Sequence, residues 1–121
     1  ARVMIPATIK YCSDIDAFDS QPGEHTNRAF HLRFFPDGRI KYWKDDHVSV
    51  EGVTHTPDAW NDVHIRADMK AGTFDVTVNG KSATGLPFAQ DGVRRIQCIA
   101  LAPNTNNCVI YVDRVAVTVT P

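Results

Sequence analysis

Apolar and polar residues alternate with a period of two through almost every segment of this chain, and no window carries a sustained i, i+3, i+4, i+7 apolar stripe. A chain patterned this way folds as sheets. The alternation predicts strands at residues 3–11, 29–35, 39–44, 47–53, 62–68, 73–78, 94–101 and 108–118, with a further short strand starting at Lys81. Residues 12–28, rich in Asp, Ser and Gly, read as one long loop. No linker or repeat divides the chain, so residues 1–121 are expected to form a single all-β domain.

Composition matters here for what it excludes. With 43% hydrophobic residues in 121, the chain can bury roughly two-thirds of its unfolded surface, enough for a core without metal or dense disulfides. Thirteen Lys+Arg against fourteen Asp+Glu give a net charge of −1, which supplies no general field for nucleic acid or an anionic membrane. No apolar run approaches the ~20 residues of a membrane span. The opening Ala1-Arg2-Val3, with neither initiator Met nor signal peptide, reads as the start of a processed or excised piece.

Three hairpins can be assigned a register. In Phe35-Pro36-Asp37-Gly38-Arg39, Pro suits the second position of a type I turn and Gly38 the left-handed position after it, giving a three-residue loop with a G1 bulge. That register sets Phe34 opposite Ile40 and Leu32 opposite Tyr42 on one face. His31, Arg33, Lys41 and Trp43 share the other. The turn at Met69-Lys70-Ala71-Gly72 pairs Val63 with Val78, Ile65 with Val76 and Ala67 with Phe74, leaving His64 outward. Asn79-Gly80 suits a type I′ turn, which needs two residues at positive φ.

Trp60-x-x-Val63-x-Ile65-x-Ala67-Asp68, then Gly72-Thr73-Phe74-Asp75-Val76-x-Val78-Asn79-Gly80-Lys81, then Tyr111-Val112-Asp113-Arg114-Val115-x-Val117 together resemble the C-terminal part of concanavalin A-like lectin/glucanase (laminin-G-like) jelly-roll domains. The resemblance covers about residues 30–119 and implies an antiparallel jelly-roll β-sandwich. Domains of this kind carry further strands before the point where this chain begins, so an edge supplied by self-association or by a separate N-terminal chain is expected. The resemblance also implies that Trp60 packs in the core, and it leaves room for a structural calcium, with Asp113 as a weak metal candidate.

Catalysis finds little support in these residues. Retaining β-glucan cleavage needs two carboxyls about 5 Å apart, in a Glu-x-Asp-x-x-Glu pattern that neither Glu24 nor Glu51 enters. Lys70-Ala71-Gly72-Thr73-Phe74 resembles a motif of jelly-roll alginate lyases, but Phe74 lacks the hydroxyl, and Gln97 is followed by Cys98 and Ile99 rather than Ile-His. The histidines His25, His31, His47, His55 and His64 form no metal-spaced pair, and Asp14, Asp16 and Asp19 read as a solvated acidic loop. A catalytic site and a cofactor are therefore not expected.

The face carrying His31, Arg33, Lys41 and Trp43 is the ligand-binding candidate, because an indole beside polar and cationic donors suits a sugar ring, with acidic glycans favoured. A non-catalytic carbohydrate-binding module of an extracellular protein is thus the first expectation. A laminin-G-like interaction subunit is the second, and a polysaccharide lyase or hydrolase the third. Three cysteines suggest one bridge and one leftover. Residues 102–107 are loop-forming, and a symmetric pairing of their flanks sets Cys98 opposite Cys108 and Ile96 opposite Ile110, so a Cys98–Cys108 disulfide with Cys12 unpaired is expected.

Overall fold

The computed structural model describes residues 1–19, 28–103 and 107–118. Among these residues ten strands form: β1 (Arg2–Met4), β2 (Ser13–Phe18), β3 (Arg28–Phe34), β4 (Ile40–Lys44), β5 (Asp46–Ser49), β6 (Asn61–Asp68), β7 (Thr73–Val78), β8 (Lys81–Pro87), β9 (Cys98–Pro103) and β10 (Tyr111–Asp113). They build two antiparallel five-stranded sheets, in the orders β10-β1-β6-β7-β8 and β5-β4-β3-β2-β9. Among the described residues there is no helix. Ile15, Leu32, Phe34 and Ile40 from one sheet and Val3, Val63, Phe74 and Val76 from the other make a single buried core. Phe30 and Tyr42 both reach Phe74 across it, with ring centroids 5.6 and 6.2 Å apart. The molecule is an antiparallel β-sandwich.

The hairpins follow the alternation. Phe34 pairs with Ile40, Arg33 with Lys41 and Leu32 with Tyr42. Val63 pairs with Val78, Ile65 with Val76 and Ala67 with Phe74, and His64 points to solvent. Gly38 lies at φ +95°, where its amide donates to the Phe35 carbonyl and its own carbonyl accepts from His55. Asn79 and Gly80 take φ values of 50° and 82°, as a type I′ turn requires.

Several expectations are corrected. Residues 13–18, placed in the long loop, form β2, an inner strand paired with β3 on one side and β9 on the other. Glu24 and His25 lie outside the described residues. The first strand is short because the chain turns at Pro6, whose carbonyl accepts from Ile9. It sits inside its sheet between β10 and β6. The last strand stops at Asp113, before Arg114 at φ 56°. Trp60 is 44% exposed with the Arg2 guanidinium over its ring, not packed in the core.

No disulfide joins any of the three cysteines, and the pairing expected for Cys98 and Cys108 is not formed. The reason is topological. Strand β9 pairs with β2, placing Cys98 opposite Phe18, whereas Cys108 leads into β10 in the other sheet. Asn104, Thr105 and Asn106 of the expected loop lie outside the described residues.

Candidate functional site

The face of the β5-β4-β3-β2-β9 sheet turned away from the core carries the polar side chains expected of it, and more. Along β2, Ile15 and Ala17 enter the core, so Asp14 and Asp16 point the other way. The register sets Asp14 beside Arg33 and Asp16 beside His31, while Lys41 continues from Arg33 and Trp43 pairs with His47 on β5. Two polar rows therefore cross the sheet: Asp14, Arg33, Lys41 and Ser49, then Asp16, His31, Trp43 and His47.

Within these rows the side chains brace one another. The Nδ1 of His31 is hydrogen-bonded to Asp16 Oδ1 in a short contact. The Arg33 Nε lies 3.3 Å from Asp14 Oδ1, and its Nη1 donates to the Tyr11 hydroxyl at 3.1 Å, with the guanidinium over the Tyr11 ring. His47 packs between two neighbours, its ring centroid 5.8 Å from His31 and 4.6 Å from Trp43, edge to face with the indole. Lys41 Nζ lies over the Phe35 ring. Asp14, Asp16 and His31 are buried, whereas Arg33, Lys41, Trp43 and His47 are partly exposed.

Buried carboxylates are stable only when partnered. Arg33 and His31 supply those partners, which explains how two aspartates occupy an inner strand. Burial lowers the pKa of His47 below its ordinary value, and the nearby Arg33 and His31 push it the same way. Cys12, next along the same side of the chain, donates from its thiol to Asp14 at 3.7 Å. Burial first, and the Asp14 charge second, push its pKa up to about 12, so it stays a thiol at neutral pH.

Asp14, Asp16 and His31 each offer one ligand atom within 4.8 Å of the others, the one such grouping among the described residues. Arg33 already places a positive charge against Asp14, which weakens the electrostatic case for a bound cation there. Asp113 stands apart. Its carboxylate is bonded to Arg2 across the β1–β10 pair and has Arg114 3.8 Å away, and these guanidinium contacts hold its pKa below the usual carboxylate value.

All four residues expected to bind ligand thus share one face, but in different roles. Arg33, Lys41 and Trp43 reach the surface, while His31 is 3% exposed and pinned beneath it by Asp16. Asp14, Asp16, His47 and Tyr11 were missed as members. The available signal was the alternation Asp14-Ile15-Asp16-Ala17-Phe18, masked by its acidity. Comparison of the chain with protein-family models, with curated proteins and with solved structures finds no match.

Proposed function

We propose that this protein is a non-catalytic carbohydrate-binding module that takes a glycan on the outer face of the β5-β4-β3-β2-β9 sheet. One observation carries the reading: a partly exposed indole, Trp43, stands on the same face as Arg33, Lys41 and His47, above a braced polar layer. A sugar ring stacks its C–H face on an indole and directs its hydroxyls to adjacent charged donors and acceptors. Bracing by Asp14, Asp16 and His31 holds those groups in place before binding, which reduces the ordering cost. Lys41, resting on Phe35, is the cation placed to meet a carboxylate or sulfate, so acidic glycans are the favoured class. The sequence resemblance to concanavalin A-like domains points the same way.

Titration calorimetry against neutral, carboxylated and sulfated polysaccharides tests the proposal. Trp43→Ala is expected to weaken binding by about 1–3 kcal/mol if the indole is a central anchor. Undiminished affinity in a folded Trp43→Ala variant would remove the assignment.

A further inference from the structure

Two segments that enter strands of opposite sheets run side by side. The Lys10 amide donates to the Asn107 carbonyl at 3.5 Å, and the Ser13 hydroxyl donates to the Val109 carbonyl at 3.0 Å. Cys12 and Cys108 lie between those two ties, and both are buried. Cys108 is also close enough to Cys12 to be among the groups that raise its pKa, after burial and Asp14.

We propose that the oxidised protein carries a Cys12–Cys108 disulfide, with Cys98 left as a thiol. The geometry excludes the other partner for Cys12. Cys98 pairs with Phe18 at the far end of β2, and six residues at ~3.3 Å each put it roughly 20 Å from Cys12, well past the ~7 Å limit between bridged Cα atoms. Cys108, held beside Cys12 by the two flanking hydrogen bonds, is remote from Cys98 for the same reason. A Cys12–Cys108 bond would clasp the entry to β2 in one sheet to the entry to β10 in the other.

The oxidant is a low-molecular-weight disulfide such as oxidised glutathione. One protein thiolate attacks the reagent's S–S bond, forming a mixed disulfide and expelling one small thiol. The second protein thiolate then attacks the protein-linked sulfur and expels the other. The cysteine pair loses two electrons and two protons, and the reagent is reduced to two thiols. Because burial keeps Cys12 protonated in the folded chain, exchange belongs to folding, before the core closes over the pair, and the finished bond is shielded from reductant.

The test is refolding in a glutathione redox buffer, blocking of thiols with N-ethylmaleimide, and peptide mapping without reduction. The expected map joins the Cys12 and Cys108 peptides and shows Cys98 alkylated. Cys98→Ser should keep the bridge and its upward shift of the urea midpoint over the reduced form, and Cys12→Ser or Cys108→Ser should lose both. Alkylation of Cys12 and Cys108 after oxidative refolding, or a bridge that includes Cys98, overturns the proposal. Should a serine variant fail to fold, the wild-type map decides.

Discussion

His55 shows what burial does to one titratable ring. Its Nε2 donates to the Phe35 carbonyl at 2.6 Å and its ring packs on Phe34, while burial drives its pKa below the ordinary 6.5. Hydrogen bonds to Phe35 and Thr56 and the charge of Asp37 pull the other way with less effect. A histidine depressed in the folded state binds fewer protons than the unfolded chain as pH falls below 6.5. Its contribution is therefore complete above that pH and is lost as pH drops through the folded-state value, and His47 acts in the same direction. Urea midpoints measured from about pH 7.5 down to about pH 5 should decline in the wild type and decline less in His55→Gln. Equal slopes in the two proteins would show that His55 is not the group responsible.

At the scale of elements, the β3–β4 hairpin depends on a turn locked from outside. Gly38 sits at φ +95°, and a Cβ there would come within 2.7 Å of the His55 carbonyl oxygen. Gly80, at φ +82°, faces open space. Gly38→Ala is thus expected to destabilise by about 3 kcal/mol or more and Gly80→Ala by only about 1–2 kcal/mol, read from denaturant unfolding. Comparable losses at the two sites would contradict the close approach. These hairpins were legible in the sequence because their determinants are local: turn residues fix φ, and alternation fixes register. Strand β2 was not legible, since aspartate is ordinarily excluded from inner strands and nothing nearby in sequence shows that Arg33 and His31 will offset it. Trp60 misled in the opposite sense, because the Arg2 that covers it is remote in the chain. The candidate face was half readable: the β3–β4 register placed His31, Arg33, Lys41 and Trp43 together, while β2, which buries His31 against Asp16, enters only through non-local pairing.

For the whole molecule, the feature with the widest reach is the pairing of β1 with β10, in which Arg2 lies opposite Asp113. The first and last of the described strands are thus neighbours, with Arg2 and Asp113 at the same end of one sheet, and that sheet lies opposite the one proposed to take a glycan. A short flexible linker could join these positions and new termini be opened at Gly80, an exposed turn. Such a circular permutant should keep the wild-type circular dichroism spectrum and urea midpoint, and a permutant that fails to fold would show the β7–β8 connection to be essential. The same adjacency makes the domain portable: spliced into a surface loop of a host protein, it would hold the two cut ends of the host close together and leave its opposite sheet facing outward.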